Sequence, residues 1–207
     1  MRLLIAILFL IVTKPVFSQC PLVVTAECAG VPMSGIIVSA SQLENIDFTF
    51  DSFSKIIGGI GMSGKTQLRL QVQANTALCK WGLYMTIDNI GAVGATDWSS
   101  NVIYGTSGNP PGLDLLKVEV YNGCNTPINN RVYQAFVTNA QMIPIIEDLG
   151  AINVAGSCVT NVNGPGNYIT NYNEFSFTVD YRIIPSPSLN ITPGQYSVKV
   201  HFCLVEN

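Results

Sequence analysis

Apolar and polar residues alternate with a period of two along much of this 207-residue chain. The clearest stretches are "TQLRLQVQA" (66–74), "EFSFTVDYRI" (174–183) and "QYSVKVHFCL" (195–204). Successive side chains of a β-strand point to opposite faces of its sheet, so each stretch predicts a strand with one apolar and one polar face. Half-buried strands of this kind are typical of antiparallel sheets, because parallel sheets covered on both faces need continuous apolar runs.

Other stretches favour strands because they are rich in β-branched and aromatic residues. They are "PLVVTAEC" (21–28), "IDFTF" (46–50), "WGLYMTID" (81–88), "LLKVEVYN" (115–122) and "RVYQAFV" (131–137). Clusters of Gly, Pro and Asn separate these stretches and predict turns. The sequence therefore predicts an all-β fold, an antiparallel β-sandwich of Ig-like or pilin-like, Greek-key type.

Helical periodicity is confined to two short stretches. In "DSFSKII" we expect Asp51 to cap a single turn that ends at Gly58. The second stretch, "NAQMIPIIEDLG" (139–150), would be interrupted by Pro144. The sandwich is thus expected to carry only minor short helices.

The N-terminus predicts a secretory signal peptide over residues 1–18. Arg2 precedes an apolar run from Leu3 to Val12, which is shorter than the roughly 20 residues that a helix needs to cross a bilayer. Small residues near Ser18 fit cleavage at that point. Residues 19–207 would then form a single secreted domain.

Charge and composition narrow the classes of partner. Without the predicted signal peptide the chain keeps 8 basic and 13 acidic residues, a net charge of −5, so nucleic acid and anionic lipid are poor partners. Charged residues make up 11% of the chain, against about 25% in average globular proteins. No later stretch has membrane-spanning length, so we expect no membrane insertion after cleavage. The predicted location is extracellular, at the cell surface, with the periplasm as a place of transit.

Six cysteines in the secreted part predict a disulfide framework, because their number is even and the compartment is oxidising. They are Cys20, Cys28, Cys79, Cys124, Cys158 and Cys203. Fifteen pairings are open, and lipidation at Cys20 is open as well. No two cysteines have the C-x₂₋₄-C spacing of a metal site, so no metal or cofactor is predicted. Structural calcium is left open, since the aspartates form no regular array.

The stretch "GGIGMSGKTQ" (58–67) fits the phosphate-binding pattern G-x-x-x-x-G-K-[ST] from Gly59 to Thr66. Such a loop must follow a buried parallel strand and open a helix whose N-terminal N–H groups bind phosphate. Here residues 67–73 alternate as a strand does. We therefore interpret the motif as a glycine-rich connection between β elements with Lys65 in solvent; a helix that began at Lys65 would overturn this interpretation.

No other motif forms a catalytic constellation. His201 is the single histidine and has no evident Ser or Cys nucleophile. Glu147 and Asp148 are adjacent and point in different directions, which does not suit a carboxylate pair for glycoside cleavage. The chain is predicted not to be an enzyme, and a secreted hydrolase is the third-ranked hypothesis.

Aromatic residues in two stretches rich in Asn, Ser and Gly are candidates for ligand contacts, because such rings suit sugar stacking or protein recognition. The candidates are Trp98, Tyr104, Tyr168 and Tyr172. The sequence leaves open that these residues instead cover the ends of the sandwich. Trp81, at the start of a strand, is expected in the core.

Three stretches resemble exported β-sandwich proteins of the Bacteroidota cell envelope. They are the signal segment ending in "FSQ", the strand "WGLYMTID" and the closing "TPGQYSVKVHFCLVEN". The run from Pro193 to Tyr196, Pro-Gly-x-Tyr before a final alternating strand, is similar to spore-coat-U and pilin-like domains. The resemblance implies a surface or filament-associated subunit or an adhesin component, and it transfers no catalytic residues.

Together these features predict a secreted structural or adhesion protein of the cell surface, a filament or envelope-complex subunit that assembles through β-strand edges. "QCPLVVTAEC" (19–28) and the final strand are the candidate edges, and envelope proteins, filament proteins or a second copy are the expected partners. The alternative is a carbohydrate-binding module that holds glycans with the four loop aromatics.

Overall fold

The computed structural model describes residues 35–38, 45–71, 81–89, 92, 95–105, 109–147, 176–185 and 191–206. Several predicted features lie outside these residues. They are the signal peptide 1–18, the strand 21–28, the candidate edge 19–28, Cys20, Cys28, Cys79, Cys158, Tyr168 and Tyr172.

Antiparallel β-strands form most of the regular structure of the described residues. In chain order the elements are β1 (Gly35–Val38), α1 (Phe53–Gly58), β2 (Ile60–Gln71), β3 (Trp81–Asp88), β4 (Ser99–Ile103), a 3₁₀ helix (Leu113–Leu115), β5 (Leu116–Tyr121), β6 (Gln134–Ala135), β7 (Met142–Ile146), β8 (Ser176–Ile183), β9 (Gly194–Ser197) and β10 (Lys199–Glu206). Every pair of these strands is antiparallel. The prediction of an all-β, antiparallel fold with minor short helices is therefore confirmed.

The described strands form three sheets. A five-stranded sheet has the order β1-β2-β8-β5-β6, a three-stranded sheet has the order β10-β3-β7, and a two-stranded ribbon pairs β4 with β9. β1 also approaches β10, with which it does not pair. Only Val198 separates β9 from β10, so the ribbon joins the three-stranded sheet directly.

One hydrophobic cluster takes side chains from both larger sheets, including Val118 of β5, Val179 of β8 and Leu83 of β3, each 0% exposed. The alternation predicted for β8 is confirmed: the residues of its apolar face are all buried. They are Phe177, Val179, Tyr181 and Ile183. Burial of one face of each central strand is the main stabilising contribution, at about 25 cal/mol per Å² of apolar surface.

β10 departs from the simple two-faced pattern. Val200, Phe202 and Leu204 pack against the core cluster but remain half-buried. Cys203 and Val205, on the opposite face, are more buried, at 1% and 7% exposed. Alternation alone therefore does not separate buried from exposed side chains in this strand.

Two sequence predictions of secondary structure were wrong. Residues 139–150 were expected to contain an interrupted helix, yet Met142–Ile146 is strand β7. Pro144 is tolerated because β7 lies at the edge of its sheet, where a missing N–H breaks no ladder bond on the outer side. Residues 46–50 form no strand, although Phe48 and Phe50 pack against the core. The predicted strand over 131–137 is reduced to β6.

Helix α1 forms where a single turn was expected, but its caps differ. The Ser52 hydroxyl, rather than Asp51, accepts a hydrogen bond from the Lys55 backbone N–H at 3.4 Å. Asp51 instead pairs with Lys55 Nζ at 2.7 Å. Gly59, with φ 76°, follows the last helical residue and ends the helix.

Cys124 and Cys203 are the two cysteines among the described residues, and both are buried. Their pairing, and a framework over all six cysteines, stay a prediction.

A matched pair of valines tests the core. Val118 is fully buried and Val137 is 62% exposed, so Val118→Ala should lower the free energy of unfolding by about 1.5–3 kcal/mol through lost burial and a residual cavity. Val137→Ala should change it by less than about 0.5 kcal/mol. Chemical denaturation followed by circular dichroism measures both values. Equal losses of unfolding free energy in the two variants would contradict a hydrophobic core between the two larger sheets.

Candidate functional site

Trp98 lies inside the core rather than at the surface. Its side chain belongs to the hydrophobic cluster and is 9% exposed. The indole Nε1 donates to the backbone oxygen of Gly112 at 2.9 Å, and the Trp98 backbone N–H donates to the oxygen of Pro111 at 2.9 Å. An enclosed ring offers no face to a sugar, so this position favours the explanation that Trp98 closes the end of the core.

Tyr104 is the exposed member of the four predicted ligand-contacting aromatics within the described residues. Its side chain is 60% exposed, directly after the last residue of β4. Since Trp98 is buried and Tyr168 and Tyr172 lie outside the described residues, the structure does not bring the four rings together.

From Ile60 onward, the stretch that fits the phosphate-binding pattern lies within strand β2 rather than connecting two β elements, which corrects that part of the interpretation; Gly59 lies between α1 and β2. The pairing of β2 with β8 is irregular between Met62 and Thr66, and Gly64 has φ 64° there. β2 continues to Gln71, so a strand rather than a helix follows Lys65, as predicted. Lys65 is exposed, which confirms its expected position.

The Gly64 backbone N–H is bound by a carboxylate of the protein itself. It donates to Oδ1 of Asp180 at 2.7 Å. The same oxygen lies 3.4 Å from the hydroxyl of Tyr121, which also donates to it. In a nucleotide-binding loop such an N–H points to phosphate at the start of a helix, whereas here it fixes β2 to β8.

Glu119 and Asp180 face each other directly across β5 and β8 and are 8% and 7% exposed. Two carboxylates opposite one another are unfavourable unless donors and cations compensate them. Asp180 receives the Gly64 and Tyr121 donors, and Tyr133 is hydrogen-bonded to Glu119. The sheet therefore holds a buried acidic pair within a network of its own donors.

Two arginines lie over the tyrosine rings of this network. The Arg182 guanidinium carbon is 4.0 Å from the centre of the Tyr133 ring, and that of Arg131 is 3.8 Å from the centre of the Tyr121 ring. Burial, and then the negative charges of Glu119 and Asp180, raise the pKa of the Tyr133 hydroxyl, while Arg182 opposes this. We interpret the group as a polar network that fixes β5 to β8.

His201 lies beside a buried carboxylate. Its Nε2 is 3.8 Å from Oδ2 of Asp88, which is 5% exposed. Thr86 is paired with His201 across β3 and β10, and both the Thr86 hydroxyl and His201 Nε2 are buried without a hydrogen-bond partner among the described residues. The described residues contain no group of three or more His, Cys, Asp or Glu side chains able to hold a metal ion.

The two-stranded ribbon offers a different kind of site, an open strand edge. β4 pairs with β9 on one side, with an irregularity between Ser100 and Val102, and no described strand pairs with its other side. The base of β4 is anchored, since Ser99 is 8% exposed. Its tip is exposed: Val102 and Ile103 are 39% and 40% exposed and precede Tyr104. We call these three residues, 102–104, the β4 tip.

Comparisons with known proteins do not place the chain in a family. No protein-family model matches it, and no curated protein matches it either. No helix among the described residues is long and apolar enough to cross a membrane.

Sequence reasoning missed both the β4 tip and the acidic pair. The tip lay in a stretch interpreted as a loop, although two β-branched residues followed by Tyr104 are a strand signal. Glu119 and Asp180 each lie on the polar face of an alternating strand. The sequence pattern therefore predicts a solvent-exposed side chain at both positions. Their meeting depends on the pairing of β5 with β8, which no local pattern reveals.

Two glycines of the phosphate-pattern stretch provide a matched test. An added Cβ would meet no atom within 4 Å at Gly61 or at Gly64, but only Gly64 has a left-handed backbone conformation. Gly64→Ala should therefore lower the free energy of unfolding by about 1–2 kcal/mol. Gly61→Ala should leave it unchanged or raise it by about 0.4–1 kcal/mol. Equal effects in denaturant titrations would contradict the strand irregularity at Gly64.

The pKa of Tyr133 tests the acidic pair. Glu119→Gln removes a neighbouring negative charge, so the Tyr133 pKa should fall toward its ordinary value of 10.0; Glu147→Gln, at an exposed site, is the control. Because the folded-state pKa is raised, the stabilisation from neutral Tyr133 is complete below about pH 10 and is lost as pH rises through the folded pKa. Tyrosine titration by NMR measures the shift, and an unchanged Tyr133 pKa in Glu119→Gln would refute the contact.

Proposed function

We propose that this chain is an exported structural or adhesion protein of the cell surface, a subunit of a filament or envelope complex that assembles by adding β-strands. The observation that carries the proposal is the open edge of β4, where three consecutive exposed residues are apolar or aromatic. Unpaired strand edges with apolar side chains are templates for another strand, and proteins that need to avoid such pairing protect them.

Three other strand edges among the described residues carry protection. β6 has only two residues, and β7 contains Pro144. β10, the final strand and a candidate from the sequence, carries Lys199 and His201, and β1 approaches it. β4 and Tyr104 contain no charged residue and no proline. We therefore place strand addition at β4 rather than at the final strand.

The proposal includes a finer architecture. We infer that the five-stranded and three-stranded sheets pack face to face as a sandwich, because a single hydrophobic cluster draws on both. A disulfide framework that includes Cys124 and Cys203 suits a protein working in an oxidising compartment. Export itself rests on the predicted signal peptide, residues 1–18.

Envelope or filament proteins, including further copies of the chain, are the partners that this function needs. The carbohydrate-binding alternative has less support, because Tyr104 is its single exposed aromatic candidate among the described residues. The excess of acidic over basic residues in the exported part also fits a protein partner better than nucleic acid.

The proposal is tested in the organism that encodes the chain. Full-length protein with a C-terminal tag should become protease-accessible on intact cells and should be captured by cross-linking in complexes larger than the monomer. Val102→Lys places a charge at the open edge and should reduce these complexes at least tenfold. Ile128→Lys, at a site that is 52% exposed on the loop between β5 and β6, is the matched control.

Retention inside the cell would refute the surface location. Complexes that survive Val102→Lys, or that Ile128→Lys reduces equally, would refute assembly through the β4 edge.

A further inference from the structure

The backbone of the β4 tip has a defined direction. The Tyr104 N–H donates to the oxygen of Pro193 at 2.9 Å, on the β9 side. Ile103 is paired in register with Gly194. In an antiparallel ladder successive residues direct their backbone groups to opposite sides, so the N–H and C=O of Ile103 point away from β9. No described strand lies on that side to bond them.

We propose that the β4 tip pairs with the β4 tip of a second copy, antiparallel, around a two-fold axis at Ile103. The two Ile103 residues then exchange two N–H···O=C hydrogen bonds, and two ribbons become one four-stranded sheet. This inference rests on the proposed function, assembly through strand edges. It specifies the partner of the β4 edge and the register in which the two strands pair.

The register brings matching side chains together. With Ile103 opposite Ile103 of the second copy, Val102 lies opposite Tyr104 of the second copy, and the same pair repeats on the other side of the axis. Aromatic and β-branched residues directly opposite one another are favourable cross-strand pairs. All three side chains are accessible before pairing, since Val102, Ile103 and Tyr104 are 39%, 40% and 60% exposed.

The uncharged β4 tip permits a second copy as the occupant despite the charge of the rest of the chain. The exported chain has an excess of acidic residues, so two copies repel one another over much of their surface. Residues 99–104 are uncharged and let two copies meet without opposing like charges. A strongly charged partner strand would find no counter-charge within this segment.

The irregularity between Ser100 and Val102 limits the contact. A bulged strand bends, and the regular part that remains spans the β4 tip. A ladder of this length buries much less than the roughly 1,200 Å² of a stable interface, so each contact should be weak and exchange rapidly. Weak homotypic contacts gain strength where many copies are held together, as in a surface assembly.

The first experiment measures self-association of the protein purified after export from its own cells, by sedimentation velocity over a range of concentrations. The chain should form a reversible dimer. Val102→Lys should weaken dimerisation at least tenfold, and Ile103→Pro should do the same because it removes the outward N–H. Tyr104→Phe should dimerise as the parent does, because its ring still packs on Val102, and Ile128→Lys should behave as the parent does.

The second experiment tests the register. A photo-cross-linking amino acid at position 104 should capture residues around Val102 of the other copy, and the Ile103 amide should gain hydrogen-exchange protection on dimerisation while β3 amides do not. Cross-links elsewhere, or a dimer that resists both Val102→Lys and Ile103→Pro, would overturn the inference.

The outcomes separate this inference from the proposed function. A purified chain that stays monomeric, while complexes on cells still depend on Val102, would refute the second copy as partner and leave strand addition to another protein. Absence of association in both settings would refute both proposals.

Discussion

Strand β8 is the element on which the rest of the fold depends. It pairs with β2 on one side and with β5 on the other, and its apolar face, from Phe177 to Ile183, is buried in the cluster shared with the three-stranded sheet. Its polar face carries Asp180, which bonds the Gly64 amide of β2 and lies opposite Glu119 of β5. Strand β8 therefore holds two neighbouring strands through its backbone, the core through one face and a polar network through the other.

Much of this organisation could be predicted from alternation, because burial of one sheet face imposes a period of two on the sequence. β2, β8 and β10 were found in this way, whereas β3 and β5 were predicted from their β-branched and aromatic residues. β7 was missed because "MIPII" is a continuous apolar run, and such a run has no period that distinguishes strand from helix. The pairing of Glu119 with Asp180 could not be predicted, since it depends on which strands become neighbours.

The candidate site shows the same division between local and tertiary information. Trp98 and Tyr104 belong to one aromatic, amide-rich stretch, and nothing local separates them. Trp98 is buried because Gly112 comes close enough to accept its indole N–H, whereas Tyr104 follows the end of β4 at the exposed tip of the ribbon. The ribbon is thus fixed in the core at its base and exposed at its tip.

The hydrogen bond between Gly64 and Asp180 also explains why the phosphate-binding pattern from Gly59 to Thr66 does not indicate phosphate binding. The Gly64 amide is a competent anion donor, but the anion is supplied in the same chain at 2.7 Å. A tethered carboxylate has an effective concentration of about millimolar or more. A free phosphate would have to displace this built-in competitor, without the helix N-terminus that makes phosphate binding favourable. The Asp180 carboxylate therefore competes, within the same chain, with any external anion for the Gly64 amide.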